Sequence, residues 1–135
     1  MLANILSFIA IIVSIVSFSR TNPLQKGQVE MQIRELISNA RYRYLDISSR
    51  INLKEEENVI LKNGSEALLE DLLNAYDEAC AKYIDNKVDK KRFKKIYDVE
   101  IRQLYEENSL EDKFQKQTTR FQAIRKVYNE WNTKE

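Results

Sequence analysis

Residues 29–51 read VEMQIRELISNARYRYLDISSRI, and the apolar members of this stretch recur every three or four positions. Such spacing places them on one side of an α-helix, because successive helical residues are about 100° apart. The apolar set consists of Val29, Ile33, Leu36, Ile37, Ala40, Tyr44, Ile47 and Ile51. The stretch therefore predicts an amphipathic helix of about six turns, which has to bury its apolar side against other helices.

Three further stretches with helical spacing follow this helix. The first is predicted from about residue 66 to 85, after a break at residues 63–65, where Gly64 is suited to end one helix and Ser65 to cap the next. The second follows a turn at 85–89, with Asp89 as its N-cap. The last has the series Leu110, Phe114, Gln117, Phe121, Ile124, Tyr128 and Trp131. Because two Gly and one Pro are too few for the turns of a β-fold, we expect an all-α protein whose residues 29–135 form an antiparallel bundle of about four helices.

Residues 1–19 read MLANILSFIAIIVSIVSFS and contain no charged side chain. A helix of this length reaches about 28 Å, close to the hydrocarbon thickness of a bilayer, so the stretch predicts an N-terminal transmembrane helix. A signal peptide is disfavoured because no basic residue precedes the apolar run, and a buried core helix because the remaining body is small. Residues 20–28, with Pro23 and Gly27, are the expected linker. Since Arg20 and Lys26 follow the span, the positive-inside bias predicts a single-pass inner-membrane protein, with its N-terminus outside and its C-terminal body in the cytoplasm.

The predicted span has a stripe of small residues. They recur at steps of four, three, four and three, and they are Ala3, Ser7, Ala10, Ser14 and Ser17. Small residues allow two helix backbones to approach closely, so the stripe is a candidate face for self-association or for docking on another span. A chance distribution of common residues explains the stripe equally well.

A basic cluster lies within nine residues after the predicted turn. Its members are Lys87, Lys90, Lys91, Arg92, Lys94 and Lys95. One interpretation is a patch for anionic lipid head groups or for phosphate. The favoured interpretation is the solvated start of a helix whose Phe93 and Tyr97 face the core, because both have core spacing. Nucleic acid is not an expected partner, since 22 basic and 21 acidic residues leave a net charge of +1.

The residue inventory argues against several kinds of chemistry. The chain has no His, and its two Gly are isolated, so it offers no histidine base and no Gly-rich phosphate loop. Cys80, the single cysteine, has core spacing and is expected to be a small core residue. We therefore predict no catalytic residue, no metal site, no cofactor and no small-molecule substrate.

The segment LLEDLLNAYDE (Leu68–Glu78), followed by Asp89–Phe93 and Tyr97, resembles a pattern of small bacterial membrane-anchored helical proteins of uncharacterised function. The resemblance covers about a quarter of the chain. It implies two helices joined by a turn and a bacterial or phage origin, and it brings no activity or site.

Three functions are consistent with these observations. The first is a noncatalytic membrane-tethered interaction or scaffold protein, self-associating through its span, with the bilayer and a protein partner or further copies of itself as partners. The alternative is a small membrane effector, of toxin or phage-defence type, whose assembled spans perturb the bilayer. An enzyme with an acidic or tyrosine-based site ranks last, because no arrangement of residues indicates one.

Overall fold

The computed structural model describes residues 2–51, 58–115 and 120–133. Within these ranges it describes every side chain except those of residues 2–6, 8, 18–21, 58 and 115. Every regular element in these ranges is helical, which confirms the predicted all-α class. In chain order they are α1 (Leu2–Arg50), α2 (Asn58–Ile84), α3 (Lys90–Glu106), a 3-10 turn (Asn108–Leu110), α4 (Glu111–Gln115) and α5 (Gln122–Asn132).

The second half of α1 packs along α2. Its side facing α2 is apolar, and Ile33, Ile37 and Ala40 are buried there as their spacing predicts. Arg43 of α1 pairs with Asp71, whereas the later Ile47 lies against the earlier Gly64. The two helices therefore run in opposite directions.

The core of the bundle lies where α2, α3 and α5 meet, and aromatic rings fill much of it. The ring of Phe93 on α3 lies 5.3 Å from that of Tyr83 on α2 and 4.8 Å from that of Tyr97, measured between centroids. Trp131 of α5 meets Tyr83 edge-on at 5.5 Å, and its Nε1 donates a hydrogen bond to the Tyr83 hydroxyl at 3.1 Å. Offset and edge-on ring pairs of this kind add to the free energy gained by burial alone.

Helix α1 continues through residues 20–28, the segment predicted as a linker. Neither Pro23 nor Gly27 interrupts it, and no glycine in the described chain has a positive φ. Pro23 lacks a backbone N–H, so one hydrogen bond of the helix is missing at this position. Its side chain is exposed, so the ring packs against no other helix of the described chain.

No helix among the described residues combines the length and the apolarity needed to cross a bilayer. This finding contradicts the transmembrane helix predicted over residues 1–19 and the single-pass inner-membrane location inferred from it. Residues 2–19 form the start of α1, which runs from Leu2 to Arg50. The same helix then continues past Lys26 and Glu30. The bilayer as a partner and the bilayer-perturbing effector, which were inferred from that span, stay predictions.

The predicted break at residues 63–65 is wrong, because α2 begins earlier, at Asn58, and passes through all three residues. A Cβ atom added to Gly64 would lie 2.8 Å from the Cδ1 atom of Ile47. Glycine at this position therefore permits the close approach of α1 to α2 and does not end a helix.

The predicted last helix divides into α4 and α5, with Phe121 in a non-helical conformation ahead of α5. Asp77 of α2 supplies the reason, because its carboxylate accepts hydrogen bonds from the backbone N–H groups of Ile124, at 3.0 Å, and Ala123. The first N–H groups of a helix lack partners within it, and a carboxylate from a neighbouring helix satisfies them here. Helix α5 thus begins where α2 presents an acceptor.

Candidate functional site on the outer side of α1

The first part of α1 presents apolar side chains to solvent. Five of them, with between 47 and 57% of their surface exposed, are Ile9, Ile11, Ile12, Val13 and Val16. Because successive residues are about 100° apart, these side chains point around most of the helix circumference. We call residues 9–17 the apolar segment. A helix that is apolar on most sides is normally buried, so this surface indicates an interaction site.

The predicted small-residue face lies on the remaining side of the apolar segment. Ser7, Ala10, Ser14 and Ser17 are exposed there, whereas the side chain of Ala3 lies outside the described part. The Ser14 hydroxyl donates a hydrogen bond to the Ala10 carbonyl at 2.8 Å. Its polar group is therefore satisfied within its own helix, and a second backbone could approach this face closely. Association through the face stays a prediction.

A row of larger apolar residues follows the same side of α1 over the body. Leu24, Met31, Tyr42 and Leu45 are 69, 73, 73 and 57% exposed, although Ile33 and Ile37 nearby are only 3% exposed. We call these four residues the outer stripe. Next to it, Met31, Arg34 and Ser38 line an open groove of about 720 Å³. Sequence reasoning missed the outer stripe, because the predicted linker separated Leu24 from the other three residues.

The six residues of the predicted basic cluster do not share one site: they line two separate cavities or form an ion pair. Lys90, Lys91, Lys94 and Lys95 line one open cavity of about 540 Å³ beside Tyr83. Lys87 lines another, of about 610 Å³, between α1 and the turn that precedes α3. Arg92 belongs to neither cavity. Its guanidinium donates to the Glu30 carboxylate of α1 at 2.7 and 3.0 Å, so its charge is already engaged.

The aromatic residues within this cluster and just after it face the core, as the favoured interpretation expects. Phe93 and Tyr97 are 2 and 8% exposed. Two of the lysines also stabilise the body, since Nζ of Lys90 lies 4.8 Å from the ring centre of Tyr83 and Nζ of Lys94 lies 5.6 Å from that of Trp131. Binding of anionic lipid or phosphate by the cluster stays a prediction.

A polar cluster connects three helices at the edge of the core. Glu100 of α3 accepts hydrogen bonds from Arg41 of α1 at 2.7 Å and from the hydroxyl group of Tyr76 of α2 at 2.5 Å, and Arg41 also contacts that hydroxyl. These groups line a cavity of about 370 Å³. Burial, and then the hydrogen bond to Glu100 and its charge, raise the pKa of Tyr76 well above the usual value. The hydroxyl therefore stays protonated at neutral pH, and the cluster acts to fasten the helices together.

The single cysteine, Cys80, is fully buried on α2, as its spacing predicts. Burial, with a smaller contribution from the charge of Asp77, raises the pKa of this thiol far above its usual range. A protonated, enclosed thiol is a poor nucleophile. No group of His, Cys, Asp and Glu side chains within the described ranges is arranged to hold a metal ion.

Comparison of the chain with family models, with curated proteins and with solved structures finds no match. The function therefore has to be argued from the arrangement of its own residues.

Proposed function

We propose that the protein is a noncatalytic helical interaction protein that binds further copies of itself through the apolar segment of α1. The observation that carries this proposal is the exposure of Ile and Val side chains around most of that helix. Each buried side chain of this type contributes on the order of 2 kcal/mol relative to an exposed one. Covering several of them supplies a large driving force for association.

A second copy is the partner that this surface fits. The apolar segment carries no charged residue with which a differently composed partner could be selected. Identical helices offer one another the same apolar and small side chains, and most oligomers of globular proteins are assembled from identical chains. Over the body, α1 contacts α2 along its core-facing side and α3 through Glu30 and Arg41. The Ile and Val side chains of the apolar segment are exposed and can make such contacts.

The surroundings of Cys80 and Tyr76 support the proposal that the protein is noncatalytic. The Cys80 thiol is enclosed, and the Tyr76 hydroxyl is held between Arg41 and Glu100. Neither group is available to act on a substrate.

Sedimentation velocity of the full chain over a range of concentrations tests the proposal. We expect a discrete oligomer that dissociates on dilution, and Val13→Glu should weaken its association at least about tenfold, because a carboxylate would be buried without a partner. Val99→Glu is the matched control, since Val99 is 64% exposed on α3, outside the apolar segment, against 57% for Val13. A chain that is monomeric at every concentration, or a Val13→Glu variant that associates like the control, would contradict the proposal.

A further inference from the structure

We infer that the open cavity beside Tyr83 binds a compact group that carries two or more phosphates, either a soluble oligophosphate or a lipid head group. We call it the lysine cavity, and its lysines are Lys90, Lys91, Lys94 and Lys95 of α3. None of its residues belongs to the apolar segment, so this inference stands apart from self-association.

The lysine cavity concentrates positive charge that the body does not neutralise. None of its four ammonium groups forms an ion pair with a carboxylate of the described chain. Asp98 also lines the cavity, but its carboxylate pairs with Arg102 at 3.4 Å. The carboxylate of Glu130 accepts a hydrogen bond from the Tyr83 hydroxyl at 2.9 Å instead. Clefts lined by one sign of charge attract ions of the opposite sign, so this cavity favours an anion.

The position of these charges is unfavourable for the helix that carries them. Lys90 and Lys91 occupy the first turn of α3, where the helix dipole favours negative groups, and after the N-cap Asp89 that turn contains no acidic residue. Lys94 and Lys95 follow four residues later, so each lies one turn away from a like charge. An arrangement that opposes local stability, without ion pairs to offset it, indicates a binding role.

Aromatic rings hold two of the four ammonium groups in position. Nζ of Lys90 lies 4.8 Å from the ring centre of Tyr83, and Nζ of Lys94 lies 5.6 Å from that of Trp131. The two rings meet edge-on at 5.5 Å, so they form one support for both lysines. Because a cation–π contact leaves the ammonium charge in place, these groups are ordered before a ligand arrives and lose less side-chain entropy when it binds.

The charge and size of the cavity select the class of ligand. Four lysines against the carboxylate of Asp98 leave three positive charges in excess. A phosphate group carries about −1.5 to −2 at pH 7, so two such groups match this excess and a single carboxylate does not. The ammonium group of lysine is a compact charge with three donors, which suits phosphate oxygens in many orientations. A volume of about 540 Å³ is within the range of small-molecule sites.

Calorimetric titration of the full chain with inorganic triphosphate tests the inference. The ionic strength should be about 0.15 M, because diffuse attraction to exposed charges is then largely screened. We expect a single site for each chain, and orthophosphate, with only one phosphate group, should bind at least about tenfold more weakly than triphosphate. Lys91→Gln combined with Lys95→Gln should weaken triphosphate binding by at least about tenfold.

Lys87→Gln combined with Lys126→Gln is the matched control, since both residues are exposed, lie outside the lysine cavity and change the net charge equally. Absence of triphosphate binding, or equal weakening by both pairs of substitutions, overturns the inference.

Urea denaturation separates binding from folding. Neither Lys91 nor Lys95 contacts an aromatic ring in the described structure, and each lies beside like charges. Their combined substitution should therefore leave the free energy of unfolding unchanged or raise it. A clear decrease would show that these lysines stabilise the body, contrary to the inference.

Vesicles assign the source of the phosphate groups. Phosphatidylcholine vesicles with a bisphosphorylated inositol lipid present phosphate monoesters, whereas those with phosphatidylserine present negative charge without them. Retention of the parent chain on the inositol-lipid vesicles alone, lost in Lys91→Gln with Lys95→Gln, assigns a lipid head group. Binding of triphosphate without this pattern of retention assigns a soluble oligophosphate.

Discussion

Tyr76 shows how one hydroxyl group connects three helices. It donates to Glu100 of α3 and contacts Arg41 of α1, while its ring is buried in the core with 2% exposure. The Glu100 carboxylate thus accepts one hydrogen bond from the charged Arg41 and one from the neutral Tyr76 hydroxyl. Charge-assisted hydrogen bonds of this kind are stronger than those between neutral groups.

Glu100→Gln should lower the pKa of Tyr76, because the negative charge that opposes loss of its proton is removed while Arg41 remains. Near-ultraviolet absorbance of tyrosinate during alkaline titration measures this shift, and Tyr76→Phe identifies the transition. The control is Tyr42→Phe, which removes an exposed tyrosine and should leave the transition of Tyr76 unchanged. An unaltered transition in Glu100→Gln would show that the contact is not present in solution.

The same group makes stability depend on alkaline pH. Because the folded chain holds the Tyr76 proton more tightly than the unfolded chain, its contribution to stability is complete below the usual pKa of 10.0 and is lost as the pH rises beyond it.

At the scale of the elements, the two glycines differ in their surroundings although both lie inside helices. A Cβ atom at Gly27 of α1 would meet no atom within 4 Å, whereas one at Gly64 of α2 would lie 2.8 Å from the Cδ1 atom of Ile47. Glycine inside a helix costs up to about 1 kcal/mol relative to alanine. Substitution by alanine therefore has the same helical benefit at both positions and a steric cost at only one.

Gly27→Ala should raise the free energy of unfolding by about 1 kcal/mol, and Gly64→Ala should raise it by less. Ile47→Val removes the Cδ1 atom, so in that background Gly64→Ala should recover the full benefit. Urea denaturation of the four variants and the parent chain measures this coupling. Equal gains for Gly64→Ala with and without Ile47→Val would mean that the two helices are not in close contact there.

Local signals explain which elements could be predicted from the sequence. Asp89 caps α3 as its position suggests, with its carboxylate accepting from the Arg92 N–H at 2.8 Å, and the aromatic side of that helix is buried as its spacing indicates. The continuity of α2 at Gly64 depends on Ile47 in another helix, and the start of α5 depends on Asp77. These contacts join residues far apart in the chain, so no neighbouring residues reveal them.

The candidate site was only partly predictable for a similar reason. The small residues from Ser7 to Ser17 were found by their spacing, but Pro23 suggested a linker and so concealed that Leu24 belongs to the same helix as Leu45. The partner of Arg92 could not be foreseen, since Glu30 is 62 residues away.

Over the whole molecule, two carboxylates respond to acid in opposite directions. Glu30 joins α1 to the start of α3 through Arg92 and through the Asp89 N–H group at 2.9 Å. Burial opposes its ionisation, but these hydrogen bonds and the charge of Arg92 outweigh burial and lower the pKa of Glu30 below its usual 4.5. For Asp77, burial outweighs the two backbone hydrogen bonds and raises the pKa above 3.8.

The free energy of unfolding should follow these two shifts. The contribution of Glu30 to the free energy of unfolding is complete above pH 4.5 and is lost as the pH falls through its lowered pKa. In Glu30→Gln, the free energy of unfolding should therefore decrease less steeply as the solution is acidified.

The contribution of Asp77 to the free energy of unfolding is present below pH 3.8 and is lost as the pH rises through its raised pKa. In Asp77→Asn, this decrease with rising pH should disappear, while the amide oxygen still accepts hydrogen bonds from α5. Denaturant titrations at a series of pH values measure both slopes, and two slopes identical to those of the parent chain would refute the assignment.

The continuity of α1 fixes an angle between the apolar segment and the body. Each helical residue adds about 100° of rotation and 1.5 Å of length. One residue inserted between Arg20 and Gln28 would therefore turn the body by about 100° around the helix axis, whereas seven would return it to within about 20°. A flexible tether would transmit no such rotation, so the unbroken helix determines the direction in which the body faces relative to each side of the apolar segment.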